Sequence, residues 1–434
     1  MDQHSSFLSE LAWRGLLHQQ TEGAAAALAA GQVTGYCGFD PTASSLHVGS
    51  LVPVMGLVHL QRAGHRPIVL VGGGTGMIGD PSGRASERPL ADEATVGANS
   101  AALRAQLERF LDFSGPSGAL MRNNADWLQP LGAIEFLRDV GKHFSINVML
   151  AKESVRSRLE DGISFTEFSY MLLQAYDFLE LSRRDGATLQ IGGSDQWGNI
   201  TAGTELIRRA SGAEAHGVTL PLIANADGRK FGKSEGGNVW LDPERTSPYR
   251  FYQFWINTDD RDVGRYLRFF TLLSRPEIEA LESAALAHPE AREAQLALAL
   301  DITARVHGEA GAQVARDVSR ILFDKRADPR QLHLDALRAI EGEVPVAAVS
   351  MIASRDDAPE PGVDIVDGLV QLALVKSKGD ARRQLQQGAV TVNGRRLNPD
   401  ESTVATGEAI HGRYFLVRKG SRDVGLLRLE TQQA

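Results

Sequence analysis

The sequence predicts an α/β protein in which a parallel-sheet domain precedes an α-helical domain and a small α+β module. Apolar runs typical of buried strands alternate with helical patterns through the first half of the chain. Amphipathic helical spacing dominates after about residue 247, and a polar, proline-rich stretch follows it. The predicted boundaries are therefore 1–247 for the sheet domain, 248–354 for the helical domain, 355–362 for a linker and 363–434 for the C-terminal module.

In the sheet domain, residues 1–31 are predicted to be helical, because an alanine-rich run leads to Gly31, a residue type that ends helices. Short apolar runs at 33–39 and 68–71 predict buried strands, with a helix over 51–62 between them. This order favours parallel pairing, in which functional groups gather at the carboxyl ends of the strands. Further segments complete the pattern: helices near 100–112, 132–140, 165–182 and 200–210, and strands at 188–191 and 217–223.

In the helical domain, Ser274 and Glu277 have the spacing of a capping box, with Pro276 in the first turn of the predicted helix. Apolar residues then recur at helical spacing, and similar patterns continue to about residue 322.

The C-terminal module carries an excess of positive charge. From residue 371 onward there are eleven Lys and Arg against six Asp and Glu, a net charge of +5. Four of these cations lie on a predicted helix, which carries Arg382 and Arg383, or on a hairpin whose turn, Asn393-Gly394, leads into Arg395 and Arg396. Such clustering suits a nucleic-acid backbone, although a solvated surface explains the charge alone equally well. The candidate RNA-binding residues are Lys376, Lys378, Arg382, Arg383, Arg395 and Arg396.

Composition narrows the class of protein. The chain has 434 residues, a net charge of −8 and one cysteine, Cys37, so neither an intramolecular disulfide nor a cysteine-based zinc site is expected. No apolar run reaches the roughly 18 residues of a membrane span, and the N-terminus lacks the order of a signal peptide. We therefore expect a cytoplasmic protein without a membrane partner.

Two glycine-rich stretches imitate nucleotide-binding motifs without the required context. Residues 74–79 have the G-x-G-x-x-G form, but a turn with an acidic residue follows where a helix should bind pyrophosphate. Residues 228–234 end like a P-loop, yet one residue is missing between the two glycines. Neither stretch is interpreted as a phosphate loop of those types.

A different pair of motifs indicates phosphate chemistry. His47 stands two positions before Gly49 at the predicted start of a helix, where imidazole and backbone N–H groups can meet a phosphate. Lys230 and Lys233 lie on a predicted mobile loop, residues 228–237, called here the lysine loop. Each motif alone is more often structural. Together they can hold a triphosphate and offset the charge that develops on it.

The two motifs resemble the H-I-G-H and K-M-S-K-S signatures of class I aminoacyl-tRNA synthetases. With three further segments, the chain resembles the bacterial type of tyrosyl-tRNA synthetase from about residue 33 through the C-terminal module. Ser50 replaces the second histidine of H-I-G-H, which removes one imidazole from the expected ATP site. The further segments are CGFDPT at 37–42, GDPSG at 79–83 and QIGGSDQWGN at 190–199.

The resemblance implies the fold and the reaction. Residues 1–247 would form a Rossmann-like catalytic domain, 248–354 a tRNA-binding helical domain, and 363–434 an RNA-binding domain of a ribosomal-protein type. Tyrosine and ATP would give tyrosyl-adenylate and pyrophosphate, and the tyrosine would then pass to the terminal ribose of tRNA-Tyr. Mg²⁺ would arrive with the phosphates of ATP rather than on a protein-held metal site, and the chain would form a homodimer.

The resemblance also implies the site residues. Tyr36 and Asp177 would bind the phenol, while Asp80, Tyr170 and Gln174 would bind the ammonium group. Tyr170, Gln174 and Asp177, at i, i+4 and i+7, would share one face of a helix. The same spacing would also occur on a solvated helix face. The complete tyrosine-binding set is Tyr36, Asp80, Tyr170, Gln174, Asp177, Gln190 and Gln196.

For the nucleotide, the resemblance implies backbone, acidic and cationic contacts. The ATP-binding set is Gly38, Asp40, Thr42, His47, Gly49, Ser50, Gly192, Asp195, Lys230, Phe231 and Lys233. The catalytic set, which faces the reacting phosphates, is Thr42, His47, Arg84, Arg88, Lys230 and Lys233.

Two alternatives remain at this point. A tryptophan-specific sister enzyme is disfavoured, because indole needs only a hydrogen-bond acceptor whereas Tyr36 with Asp177 supplies a donor and an acceptor. An RNA-binding protein on a catalytically retired scaffold is disfavoured, because the cations of both phosphate motifs are present.

Overall fold

The structure, a computed structural model, describes residues 6–80, 82, 92–156, 162–228, 231–234, 237–324, 327–353, 360–420 and 422–430. The chain divides into two compact units, Met1–Thr246 with Phe254–Val306, and Ser247–Gln253 with His307–Ala434. The predicted helical domain, residues 248–354, is thus divided between the two units. The division into a sheet domain, a helical domain and a C-terminal module stays a prediction.

The first unit contains a six-stranded sheet in the order β1-β6-β5-β2-β3-β4. Five of its strands are parallel, and β1 pairs antiparallel at the edge beside β6. The chain builds outward from β2 in one direction and then from β5 in the other. The carboxyl ends of β2 and β5 therefore form the switch point at which ligands bind in such sheets. The strands are β1 Gln19–Gln20, β2 Thr34–Phe39, β3 Arg66–Val71, β4 Leu120–Asn123, β5 Ala187–Gly193 and β6 His216–Leu220.

Helices cover the first unit's sheet and continue into the rest of the chain. Within the described residues, none of them combines the length and the apolar character needed to cross a membrane. The helices are α1 Phe7–Arg14, α2 Ala24–Ala30, α3 Leu51–Arg62, α4 Glu93–Leu107, α5 Ala125–Leu128, α6 Ala133–Glu135, α7 Ile146–Leu150, α8 Glu153–Arg156, α9 Phe165–Asp185, α10 Trp197–Ser211, α11 Pro248–Ile256, α12 Asp260–Phe270, α13 Arg275–Ala287, α14 Glu293–Phe323, α15 Leu334–Glu341, α16 Ile365–Gln371 and α17 Lys378–Gln386.

Several predicted boundaries are confirmed where local signals are strong. α3 occupies the predicted 51–62, and it is apolar on nearly all sides because it is buried. The predicted capping box is present, since the backbone N–H of Ser274 donates to Glu277 Oε2 at 2.8 Å. Helix α9 begins after Ser164, whose side chain accepts from the backbone of Glu167, and it ends at Gly186 in the left-handed conformation.

The prediction of continuous helix over residues 1–31 is wrong. α1 ends at Gly15, which has a φ of 75°, and the chain then extends into β1. Gln19 and Gln20 pair with Thr219 and Val218 of β6. An edge strand that is satisfied only by this distant partner has no local signal in the sequence, so tertiary pairing overrides the helical pattern.

The second unit contains a five-stranded sheet in the order β12-β11-β14-β15-β9 and a two-stranded sheet of β10 with β13. Two helices, α16 and α17, contribute to the apolar core that these sheets enclose. The fold class predicted from the sequence is thereby confirmed. In the first unit, β7 Lys233–Ser234 pairs with β8 Gly237–Asn238; the strands of the second unit are β9 Val346–Val349, β10 Gly362–Asp364, β11 Val390–Val392, β12 Arg395–Arg396, β13 Thr403–Ala405, β14 Tyr414–Lys419 and β15 Asp423–Leu429.

The sheet of the second unit begins earlier in the sequence than the predicted module at residue 363. β9 lies within the segment assigned to the helical domain, and it pairs parallel with β15. Ala347 and Val349 face the core while their neighbours are exposed. Four alternating residues between helices are too short a pattern to be recognised without the partner strand. Residues 354–359, most of the predicted linker, lie outside the described residues.

Candidate active site

The site lies at the switch point between β2 and β5. Tyr36 of β2 is directly opposite Gln190 of β5 in the parallel register, so their side chains project on the same face of the sheet. Both residues are almost fully buried. Within the described residues, neither Tyr36 Oη nor Gln190 Oε1 has a hydrogen-bond partner. Two buried polar atoms left unsatisfied on neighbouring strands destabilise the fold unless a ligand binds them.

Asp177 of α9 is held beside Tyr36 by two donors. Asn124 Nδ2 donates to Asp177 Oδ2 at 2.9 Å, and Trp127 Nε1 donates to Oδ1 at 2.7 Å. Asp177 is 2% exposed, and the ring of Tyr36 packs edge-on against Phe178. The carboxylate therefore has a fixed orientation in a dry environment.

Burial controls the charge of this pair. Loss of water raises the pKa of Asp177 to about 7, although hydrogen bonds from Asn124 and Trp127 oppose the shift. Burial also raises the pKa of Tyr36 well above its ordinary value, and the nearby Asp177 adds to that effect. The Tyr36 hydroxyl therefore stays protonated, and the site offers a phenol donor next to a carboxyl acceptor.

A second polar group lies one turn earlier on α9. Gln174 Nε2 donates to Gln196 Oε1 at 3.1 Å, and Gln196 Nε2 donates to Asp80 Oδ2 at 2.7 Å. Asn199 donates to both glutamines. Tyr170, one turn before Gln174, is buried on the same helix. The structure thus brings Asp80 and the predicted α9 stripe together around one polar pocket.

The loop after β5 carries Asp195. Loss of surrounding water raises the pKa of this carboxyl group, and the charge of Asp80 adds to the shift. A Cβ atom on Gly193 would lie 2.5 Å from Asp195 Oδ1 and 3.3 Å from Leu222 Cδ2. Leu222 is 64% exposed. An acidic group and an exposed apolar side chain therefore flank a position that admits only glycine without displacement.

The loop after β2 fixes His47. Its Nδ1 accepts a hydrogen bond from the backbone N–H of Gly49 at 3.0 Å, so a neutral imidazole carries its proton on Nε2. The ring packs edge-on against Trp240, with 6.1 Å between ring centroids. A Cβ on Gly49 would lie 2.7 Å from the imidazole, which explains the glycine at this position.

The described part of the lysine loop contacts the His47 loop directly. Gly232 has a φ of 81°, and a Cβ there would lie 2.9 Å from Val48 Cγ2. Val239 links the two loops, because its N–H donates to Gly232 O and its carbonyl accepts from the N–H of Val48, both at 3.0 Å. The two phosphate motifs, about 185 residues apart in the sequence, are thus adjacent.

Phe231 and Lys233 have different surroundings on this loop. The ring of Phe231 is buried among aromatic residues of α11 and α12, and it stacks on Phe270 at 5.4 Å between centroids. Only the backbone of Phe231 remains for a nucleotide. Lys233, at the start of β7, is exposed. The aromatic cluster thus anchors the loop while Lys233 projects from it.

The other predicted ATP residues lie around β2 and its loop. Thr42 and the backbone of Gly38 are exposed, and a Cβ on Gly38 would meet nothing within 4 Å, so a ligand can approach the strand there. Asp40 accepts a hydrogen bond from Thr75 Oγ1. The side chain of Ser50 makes no cap for α3. Arg84, Arg88 and Lys230 lie outside the described residues.

Among the described residues, no group of three or more His, Cys, Asp or Glu side chains is placed to hold a metal ion.

The candidate RNA-binding residues of the second unit fall into two groups. Arg395 is bound to Glu401 at 2.6 Å and to Glu408 at 2.9 Å, and these partners raise its pKa. Arg383 pairs with Asp380, Lys378 pairs with Asp367, and Arg396 Nε donates to the carbonyl of Gly388. Lys376 and Arg382 are exposed, and no ion pair is recorded for either within the described residues. The available charge is therefore smaller than the sequence indicates.

Sequence reasoning missed the residues that hold the predicted ones. Asn124 and Trp127 support Asp177, Thr75 supports Asp40, and Trp240 contacts His47. Thr75 lies in the stretch 74–79, which has the G-x-G-x-x-G form without the context of a dinucleotide motif. Their common signal is polar or aromatic character within about four residues after the end of a strand, which is too frequent in sequences to single them out.

Comparisons with known proteins extend over nearly the whole chain. Residues 29–324 match the family model described as "tRNA synthetases class I (W and Y)", and residues 348–427 match a "Tyrosine--tRNA ligase SYY-like C-terminal domain". The chain is 53% identical over 424 residues to the tyrosine–tRNA ligase of Anaeromyxobacter dehalogenans (strain 2CP-1 / ATCC BAA-258), covering 98% of this chain and 99% of that protein. It is 52% identical over 425 residues to that of Geobacillus stearothermophilus, covering 97% and 99%.

A solved structure gives the same result. The C-terminally truncated mitochondrial tyrosyl-tRNA synthetase of Aspergillus nidulans is 32% identical, with a TM-score of 0.67, and the match covers 74% of this chain and 94% of that chain. Since the family model spans more than half of the chain and the relatives span nearly all of it, the chain belongs to the class I tRNA synthetases of the W and Y family.

Proposed function

We propose that this chain is a tyrosine–tRNA ligase that activates tyrosine with ATP and transfers it to the terminal ribose of tRNA-Tyr. The observation that carries the choice of amino acid is the buried pair of Tyr36 and Asp177, in which the Tyr36 hydroxyl has no partner within the described residues. The tyrosine–tRNA ligases among its relatives, which match over almost their full length, support the same assignment.

Tyr36 and Asp177 together recognise a phenolic hydroxyl both as a hydrogen-bond acceptor and as a donor. Tyr36 Oη donates to the phenol oxygen, and the phenol O–H donates to Asp177, whose orientation Asn124 and Trp127 hold. Phenylalanine would leave the buried Tyr36 hydroxyl unpaired and would offer Asp177 no phenol donor. Tyrosyl-tRNA synthetases reject phenylalanine by about 10⁵ for this reason, a magnitude that belongs to the family rather than to this structure.

The ammonium and carboxylate ends of tyrosine meet the polar network next to this pair. Asp80 supplies the negative charge, and Gln174 with Tyr170 presents further polar atoms from the same face of α9. Gln196 bridges Asp80 and Gln174, so it fixes their separation. Gln190, with its unsatisfied Oε1, completes the pocket wall.

The chemical step needs positioning and charge rather than a general base. The tyrosine carboxylate attacks the α-phosphorus and pyrophosphate leaves, so the protein stabilises the charge that moves onto the leaving group. His47 Nε2–H, Lys233 and, outside the described residues, Lys230, Arg84 and Arg88 are the proposed donors. Thr42 lies on the same loop as His47. Mg²⁺ enters with the phosphates as part of the substrate.

The remaining nucleotide contacts are proposed along the two strand ends. Gly38 lets the nucleotide approach the backbone, whereas a Cβ on Gly192 would meet Gln196 and Ile200, so Gly192 is proposed to act by letting the β5 loop pack closely. Asp40 and Asp195 are proposed to bind the hydroxyl groups of the nucleotide. Ser50 and Gly49 lie at the start of α3, and Leu222 offers an apolar surface near Asp195.

Pyrophosphate exchange tests the assignment. Radioactive pyrophosphate should enter ATP only when tyrosine is present, with tryptophan and phenylalanine as the competing amino acids. Exchange driven by tryptophan would favour the sister specificity, and no exchange with any of the three would favour the retired RNA-binding scaffold.

We propose that the second unit binds tRNA through Lys376 and Arg382, because neighbouring acids already occupy Arg383 and Arg395. Replacing both exposed residues with alanine should raise the KM for tRNA and lower the slope of log affinity against log salt by about 0.7–0.9 per lost contact. Pyrophosphate exchange should not change. Arg395→Ala is the control that should instead lower the stability of the module.

We propose a homodimer for this chain, in keeping with the resemblance. Apolar side chains of the segment before α9, and of the first residue of α9, are exposed, and exposed apolar surface is typical of an interface. They are Ile134 at 77%, Leu137 at 57%, Ile146 at 58%, Val148 at 57% and Phe165 at 77% exposure. Sedimentation should give twice the chain mass, and Phe165→Asp should shift it toward monomer. A monomeric native protein would refute the dimer.

A cytoplasmic location stays a prediction from the single cysteine, Cys37.

A further inference from the structure

Thr75 connects the two ends of the site through a chain of hydrogen bonds. Its hydroxyl donates to Asp40 Oδ1 at 3.2 Å and accepts from Asn124 Nδ2 at 2.9 Å. The same nitrogen of Asn124 donates to Asp177 Oδ2 at 2.9 Å. Three successive bonds thus join the carboxylate at the phenol end with the carboxylate at the nucleotide end.

The direction of every bond in this chain is fixed. Asn124 Oδ1 accepts from the backbone N–H of Gly74 at 2.7 Å, so the atom that faces Thr75 and Asp177 is the amide nitrogen. That nitrogen can only donate, and an ionised Asp40 can only accept. The single proton of the Thr75 hydroxyl therefore points to Asp40. The chain cannot reverse without leaving a buried group unpaired.

The backbone around Thr75 leaves room for this arrangement. Thr75 is 3% exposed, so water does not replace its partners. A Cβ on Gly72 would lie 2.6 Å from Thr75 Oγ1 and closer still to Asp40. Glycine at position 72 is what allows the hydroxyl and the carboxylate to meet.

We propose that Thr75 is a positioning residue that couples the phenol end of the site to Asp40. Asp177 accepts a hydrogen bond at one end of this chain and Asp40 accepts one at the other end. A phenol bound at Asp177 therefore changes the strength of the hydrogen bonds from Asn124 to Thr75 and from Thr75 to Asp40. The inference rests on the proposed function, since it takes tyrosine at Asp177 and the nucleotide at Asp40. In physical terms, tyrosine prepares the nucleotide end of the site before ATP arrives.

A double-mutant cycle, in which the dissociation constant of tyrosine is measured for each variant, tests the coupling between Thr75 and Asp40. Calorimetry would give the tyrosine Kd of the native protein, Asp40→Asn, Thr75→Val and the double variant. Because residues in one hydrogen-bond network are non-additive, the effect of Asp40→Asn on the Kd should differ by at least about twofold between the Thr75 and Thr75→Val backgrounds. Equal effects in the two backgrounds would overturn the proposal.

Matched variants distinguish a loss of coupling from a general loss of stability. Thr75→Ser keeps the hydroxyl and should restore the native non-additivity, while Thr75→Ala repeats the test if the valine variant does not fold. Thr271→Val is the control, because Thr271 is also fully buried and its hydroxyl bonds only within α12, to Leu267 O at 2.6 Å. It should leave the effect of Asp40→Asn unchanged. If the native protein binds no tyrosine, the proposed function is wrong. If it binds tyrosine but the effects of the two substitutions are additive, only the coupling proposal is wrong.

Discussion

The proposed phenol end of the site, around Tyr36 and Asp177, and its proposed phosphate end, around Thr42 and Lys233, hold their polar groups in opposite ways. At the phenol end, Asp177 is 2% exposed and both of its oxygens are bonded to fixed donors. At the phosphate end, Lys233 and Thr42 are exposed on loops. A buried pair whose Tyr36 hydroxyl still needs a partner rejects a ligand without a hydroxyl, whereas exposed cations can follow a leaving group. Selectivity and rate are therefore expected to respond to different substitutions.

The largest effect is expected for Lys233→Ala. Removing one cation from the leaving group should lower the kcat of pyrophosphate exchange by about 10²–10³, with little change in tyrosine Kd. Lys376→Ala, an exposed lysine of the second unit, is the control and should leave exchange unchanged. If Lys233→Ala changed only affinity, the phosphate end would not serve the transition state.

Asp177→Asn should mainly change selectivity. The amide restores the shape, but it turns one acceptor into a donor beside Asn124 and Trp127, so the preference for tyrosine over phenylalanine should fall by about 10–100-fold in kcat/KM. Glu180→Gln changes another buried carboxylate of α9, which pairs with Arg183 and Arg184. That control should keep full selectivity. If both variants behaved alike, the phenol would be recognised elsewhere.

The pH dependence of stability should also distinguish the ends. Burial raises the pKa of Asp177 to about 7, so the folded state binds this proton more tightly than the unfolded chain does. Relative to Asp177→Asn, the native free energy of unfolding should therefore fall as pH rises from about 4 to about 7, and then level off. Between pH 5.5 and 7.5 the fall should be on the order of 2 kcal/mol. Urea titrations of both proteins measure it, and parallel curves would contradict a raised pKa.

The smallest effect is expected for Ser50→Ala. The hydroxyl makes no cap for α3, so only a hydrogen bond to the nucleotide would be lost. One such bond is equivalent to a roughly two- to tenfold change in exchange rate. Ser44→Ala, exposed on the same loop, should have no effect. A loss of more than a hundredfold in Ser50→Ala would show that Ser50 replaces the missing histidine more fully than its chemistry predicts.

The sequence predicted most of the fold because its signals are local. α3 and α9 have clear boundaries, and the capping box at Ser274 depends on residues three apart. β1 and β9 were missed because each is defined by a partner strand far away in the chain. Such pairings leave little trace in two to four residues.

The site shows the same division. Motifs and resemblance predicted the residues that would face the ligands, and the structure places many of the described ones near the carboxyl ends of β2 and β5. The supporting residues could not be predicted, since Asn124 acquires its role only when folding places it between Thr75 and Asp177. Likewise, the excess charge of the second unit did not reveal that Glu401 and Glu408 occupy Arg395.

A crystal structure of the full chain with bound tyrosine would show whether Tyr36 and Asp177 bind the phenol. We expect the phenol oxygen to lie within about 2.5–3.0 Å of both Tyr36 Oη and a carboxylate oxygen of Asp177. Asn124 and Trp127 should keep their bonds to that carboxylate. A tyrosine whose hydroxyl bonds to other groups, with Tyr36 Oη meeting only water, would contradict this expectation.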